Sequence, residues 1–312
     1  MTNAETPRRS PARPSSGVAL ETGAARPASG PDSTRPHTGG APLSGVVVPL
    51  VTPLDRQGRV RADDVARLVD SVRAGVTALM PTLSSGEGWL LTEAQWRDMV
   101  AATVHCADGL PVIAGVQLPD TAAVVARTRL AAELGADAVA VTTPFGAGVG
   151  QEDIVTHYER VLGAGSPVLV YNEEALSGNR IEAGTLARVC RLPGVIGVKE
   201  SSGDPAFTRQ LVAAGLGVPV FEGWENLLLQ VPGVAGFIGP LANLEPALCA
   251  ALLRHPTPEL QAEVDTACET YGILRDDWYL HVKRALVARG VIGTDTTAQD
   301  VRAAAAAAEA AP

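Results

Sequence analysis

Lysine is almost missing from this chain. Of the 25 lysines and arginines in its 312 positions only Lys199 and Lys283 are lysine, so arginine serves wherever a cation alone is needed. Cysteine is sparse too: Cys106, Cys190, Cys249 and Cys268 stand far apart with no C-x-x-C spacing, which offers neither a zinc site nor a disulfide framework. The five histidines, His37, His105, His157, His255 and His281, are as scattered, and no metal is called for. Positive charge is also short. A net charge of -9 argues against a nucleic-acid surface or a basic membrane face, either of which needs clustered Lys and Arg. No stretch reaches the ~18 uninterrupted apolar residues of a membrane span. What remains is a small-molecule partner and a reducing cytoplasm.

Residues 1–43 are rich in Pro, Ala, Ser, Gly, Thr and Arg and poor in large apolar groups, so they read as a disordered tail. Arg8 and Arg9 resemble the start of a twin-arginine export signal, but the apolar stretch after them, Val18 to Leu20, is far too short. From Gly45 onward short apolar strands alternate with amphipathic helices. Strands are expected at 46–50, 78–82, 112–116, 138–142, 168–171, 195–199, 218–221 and 236–239. Eight strands alternating with helices predict a (β/α)8 TIM barrel over 44–243, followed by a helical region at 244–312 packed beside it. A doubly wound open sheet is the alternative, but no G-x-G-x-x-G follows the first strand.

A lysine that persists in such a composition invites a chemical reason. Arginine holds its proton near neutral pH, whereas a lysine taken out of water loses it and becomes a nucleophile toward carbonyls. Lys199 ends the β-branched run Gly194 to Lys199; read alone, it is equally a strand-end lysine whose head reaches solvent. In a parallel barrel the reacting groups sit at the C-terminal ends of strands, which selects Thr52, the turn Ser84, Ser85, Gly86 and Glu87, then Thr142 to Pro144, Tyr171 with Asn172, and Lys199. Tyr171 and Lys199 end consecutive strands, so a phenol can move protons beside an amine. The N–H groups and hydroxyls of the Ser84 turn suit a carboxylate.

These residues, in this order, resemble the dihydrodipicolinate synthase and N-acetylneuraminate lyase superfamily of lysine-dependent pyruvate aldolases. The motifs are Val48 to Pro53 (VPLVTP), Ser84 to Glu87 (SSGE), Ile113 to Gly115 (IAG), Thr143 to Phe145 (TPF), Tyr171-Asn172 and Gly197 to Asp204 (GVKESSGD), and the similarity runs from Gly45 to about Gly293. The resemblance implies that Lys199 is the Schiff-base lysine, Tyr171 the proton-transferring phenol, and Ser84, Ser85 and Gly86 the cradle for the pyruvoyl carboxylate. It implies no cofactor, and a homotetramer built from dimers, or a dimer.

The departures narrow the function. Leu176 stands where the synthase branch has an arginine, and Ala175 to Gly178 resembles the sialic acid lyase branch instead. Phe145-Gly146 replaces a Tyr-Tyr pair that completes a proton relay across a subunit interface in the synthases. Glu173 and Glu174 replace an apolar residue and a proline after Tyr171, and Glu225 lies in the region that contacts the far end of the substrate in the lyases. The expectation is a class I aldolase that cleaves or forms a 4-hydroxy-2-oxo acid with pyruvate as one partner, the other being a cationic guanidino or amino aldehyde held by Glu173, Glu174 and Glu225. A dehydratase or hydratase-aldolase using the same iminium, and a non-catalytic 2-oxo acid binding protein, are the alternatives.

Overall fold

The computed structural model describes residues 42–309, so nearly all of the expected disordered tail lies outside the described residues. Eight short strands follow one another: β1 (Gly45–Pro49), β2 (Ala78–Met80), β3 (Ile113–Val116), β4 (Ala138–Thr142), β5 (Val168–Asn172), β6 (Val195–Glu200), β7 (Val220–Glu222) and β8 (Gly236–Phe237). All the strand pairs are parallel, and β1 joins β8 as well as β2. The parallel bridge between Leu79 and Val112 brings β2 to β3 and closes the ring. This is the TIM barrel expected from the sequence.

Alternation along each strand divides the apolar residues between two cores. Leu169 and Tyr171 of β5 point into the barrel with Met80, Ala140 and Phe221. Val168, Val170 and Val198 point outward against the helices. Those helices are α1 (Ala62–Val72), α2 (Glu93–Cys106), α3 (Thr121–Glu133), α4 (Gln151–Leu162), the single turn α5 (Glu174–Ser177), α6 (Ala183–Val189) and α7 (Pro205–Ala214). Thr92 and Gln95 form a reciprocal capping box at the start of α2, and Asp204 accepts from the Ala206 amide to start α7. Each such cap contributes about 1 kcal/mol.

Most strand ends fall within one or two residues of expectation, and only β4 matches at both ends. Strand β7 begins at Val220 rather than residue 218, because Pro219 has no N–H for the ladder; its carbonyl still accepts from the Val198 amide at 2.9 Å. Helix α8 (Pro246–Arg254) packs on β1 and β8. Beyond it come α9 (Pro258–Thr270), α10 (Trp278–Ala288) and α11 (Ala298–Glu309). Helix α10 touches the Ser84–Gly86 turn, so the C-terminal region forms part of the barrel mouth. Among the described residues no helix is long and apolar enough to cross a membrane.

Candidate active site

Tyr171 and Lys199 are directly paired across β5 and β6. Their common inward direction puts the Lys199 ammonium 3.9 Å from the centre of the Tyr171 ring, and both side chains are buried. One register step on, the Asn172 amide donates to Glu200 Oε2 at 2.7 Å, and Glu200 Oε1 accepts from the Ser202 amide at 2.7 Å. These bonds lock the two strand ends and thereby fix the amine beside the phenol.

A chain of hydrogen bonds runs through the phenol. Gln117 Nε2 donates to Ser84 Oγ at 2.8 Å, Ser84 Oγ lies 3.2 Å from the Tyr171 oxygen, and the Tyr171 hydroxyl donates to Glu173 Oε2 at 2.6 Å. Gln117 directly follows β3 and escaped the sequence reading, although the rule that picks residues at strand ends would have found it. Glu222, the last residue of β7, was missed in the same way.

Burial sets the charges. Loss of water pulls the Lys199 ammonium down to about 8, against the opposing pull of Glu173, Glu225 and Glu222. Burial likewise raises Glu222 and Glu225 each to about 7, and raises Glu173 despite Lys199 and the Tyr171 hydroxyl. Tyr171 is pushed well above its ordinary value by burial and then by the Glu173 charge. Glu225 is fixed by the Leu241 amide, which donates to its Oε1 at 2.8 Å. Glycine at 239 leaves that room: a Cβ there would come within 2.6 Å of Glu225 Oε1 and 2.2 Å of the Phe237 ring.

Above these groups opens a cavity of about 380 Å³, with Lys199, Tyr171, Glu173, Glu225, Ser84 and Ser85 among its lining residues. The Ser201 hydroxyl also lines it, buried near the Tyr171 phenol. Three of the four tryptophans, Trp89, Trp224 and Trp278, form walls, and Leu274, Arg275 and Asp276 complete the lining. Trp224 is oriented by a 3.0 Å bond from its Nε1 to the Ser201 carbonyl.

The other expected site residues are placed as follows. Glu174 opens the turn α5, is exposed and does not line the cavity. Gly86 is not a lining residue either: its N–H donates to the Leu83 carbonyl and its own carbonyl accepts from Thr52 Oγ1. Ser84 and Ser85 open a helical turn, so their N–H groups have no partner within it and remain suited to a carboxylate. Glu225 is buried and lines the same cavity as Lys199, whose charged form it favours. Phe145 and Gly146 border a different cavity, with His157 and Arg160.

The model of the dihydrodipicolinate synthetase family matches residues 42–297. The chain belongs to this family. An uncharacterized DapA-like lyase of Halobacterium salinarum is 37% identical over 261 residues, covering 80% of this chain and 85% of the relative. The 4-hydroxy-tetrahydrodipicolinate synthase of Sphingopyxis alaskensis is 35% identical over 214 residues, covering 67% and 73%. Among solved structures, the dihydrodipicolinate synthase of Bacteroides thetaiotaomicron has a TM-score of 0.77 at 27% identity, covering 83% of this chain and 92% of that one. As a member of the dihydrodipicolinate synthetase family, the chain is a lyase.

Proposed function

We propose that this lyase is a class I aldolase that cleaves or forms a 4-hydroxy-2-oxo acid, with pyruvate as one partner and Lys199 as the Schiff-base residue. The observation that carries the reading is a buried lysine, pulled down to about 8, beside a buried phenol at a cavity lined by Ser84 and Ser85. Neutral Lys199 attacks the 2-oxo carbon, and loss of water leaves an iminium that withdraws electrons from the adjacent carbon. In cleavage, the 4-hydroxyl loses its proton, the C3–C4 electron pair moves toward the iminium nitrogen, and an aldehyde departs from the resulting enamine. Protonation at C3 and hydrolysis release pyruvate and restore the amine. The amides of Ser84 and Ser85 and the Ser85 hydroxyl hold the carboxylate of the 2-oxo acid.

The aldehyde portion points toward the indoles. A cationic aldehyde, expected from Glu173, Glu174 and Glu225, loses its main support because the first and last surround the amine and Glu174 stays outside. Trp89, Trp224, Trp278 and Leu274 instead favour a flat, largely apolar aldehyde, since aromatic walls bind planar groups by stacking and exclusion of water. The experiment compares pyruvate release from 4-hydroxy-2-oxo acids with an aryl, a guanidinoalkyl or a short hydroxylated tail. Preference for the aryl compound by kcat/KM supports this substrate class, and preference for the guanidino compound restores the cationic one. Consumption of all three without pyruvate release would overturn the aldolase reading in favour of a dehydratase.

A further inference from the structure

The phenol at this site has an unusual neighbour. Glu173 stands two residues after Tyr171 and accepts its proton in a 2.6 Å bond, while the other side of the phenol oxygen faces Ser84. The Tyr171 proton is committed to the carboxylate, so the phenol oxygen can only accept from Ser84, and Ser84 Oγ accepts in turn from Gln117 Nε2. With Tyr171 donating to the carboxylate, every hydroxyl in the series points the same way: Gln117 to Ser84, Ser84 to Tyr171, Tyr171 to Glu173.

We propose that Glu173 is the proton acceptor and store for the reaction, with Tyr171 as the relay between it and the substrate, so that the proton path is complete within one chain. The inference rests on the Schiff-base reading above. A buried phenol next to a carboxylate is a poor base alone, because its phenolate would sit against a second negative charge in a site short of water. It can accept the substrate proton when its own proton moves on to Glu173 in the same step. In cleavage the 4-hydroxyl proton passes to the Tyr171 oxygen, the Tyr171 proton passes to Glu173, and the C3–C4 pair enters the iminium to give enamine and aldehyde. The stored proton then returns through Tyr171 to C3, which restores the iminium and the carboxylate. Water releases pyruvate and Lys199, and the proton taken up in forming the iminium is returned at hydrolysis. No oxidant or further acid is needed. Tyr171 is thus connected to a carboxylate of its own chain, and the loop holding Phe145 and Gly146 lines a cavity that includes none of these residues.

The charged and titratable groups facing Glu173 are the Tyr171 hydroxyl, Lys199 on β6 and, further along that strand, Glu200. Burial outweighs the first two, so Glu173 titrates above the ordinary glutamate range, and a proton acceptor there loses activity as pH falls through that value.

The test follows exchange of the pyruvate methyl protons in deuterated water across pH, expressed per adduct trapped by borohydride on Lys199 so that titration of the amine cancels. The unsubstituted protein should show both, with an acid limb in exchange. Glu173→Gln should still trap pyruvate but lose about a hundredfold or more in exchange rate together with the acid limb. Glu173→Asp should recover part of the rate and the limb, whereas Glu174→Gln, which removes the exposed acid next in sequence, should keep both. No adduct in the unsubstituted protein would overturn the Schiff-base reading itself. An adduct with undiminished exchange in Glu173→Gln would overturn only the proton-store role, as would loss of adduct and exchange in equal measure. Should Glu173→Gln fail to fold by circular dichroism, Glu173→Asp decides: an unchanged rate and limb overturns the proposal, and a lowered rate with a displaced limb supports it.

Discussion

Lys283 on α10 donates to Glu87 inside the core, where neither side chain touches solvent. Lys283 also donates to the Thr296 carbonyl at 2.8 Å, and Glu87 Oε2 accepts from the Ala298 amide at 2.6 Å. The pair therefore ties the turn after β2 to the C-terminal segment, and of the two lysines only Lys199 opens on the cavity.

Removing one member of this pair leaves an uncompensated buried charge. Lys283→Met is expected to lower stability by about 3–5 kcal/mol, and the double variant Lys283→Met/Glu87→Gln to recover part of that loss. Urea denaturation midpoints measure both. A single variant as stable as the unsubstituted protein would contradict the pair's role.

Removal of Glu225 changes the amine. Its carboxylate favours the charged form of Lys199, so Glu225→Gln should move the pH midpoint of pyruvate adduct formation, near 8 in the unsubstituted protein, to lower pH. The rate rises with pH in both, because only the neutral amine attacks. Trapping rates between pH 5 and pH 10, a range of about five units around that midpoint, give the answer. A shift toward higher pH would mean that Glu225 does not face the ammonium.

Loss of the phenol should separate binding from turnover. Tyr171→Phe is expected to keep the adduct and lose about a hundredfold or more in kcat, since the hydroxyl moves protons while the ring stays in place. Equal turnover would assign proton transfer to another group.

Crowding behind the amine gives a further check. A Cβ at Gly223 would lie 2.0 Å from Ser201 Oγ and 2.8 Å from the Glu200 carbonyl. Gly223→Ala should therefore cost about 1–3 kcal/mol of stability and displace the end of β6 that carries Lys199. A melting temperature and trapping yield like those of the unsubstituted protein would show that the loop yields freely.

Much of the site was legible because it obeys local rules. Period-two patterning placed Tyr171 and Lys199 on consecutive strands, and parallel pairing without a crossover made them neighbours. Glu174 was misplaced because one residue after Glu173 the chain has already turned into α5 and points the next side chain outward. The indole walls were not legible at all. Trp89, Trp224 and Trp278 come from the loop after β2, the loop after β7 and the start of α10, and no spacing in sequence predicts that those three segments meet. Lys283 and Glu87 are separated by 196 positions and pair only after the C-terminal helices dock.

The most direct test of the whole account is borohydride reduction in the presence of pyruvate, followed by peptide mass analysis. A reduced pyruvoyl adduct on the peptide carrying Lys199, absent from Lys199→Ala, is the predicted result. Labelling of Lys283, or no adduct in the unsubstituted protein, would contradict it.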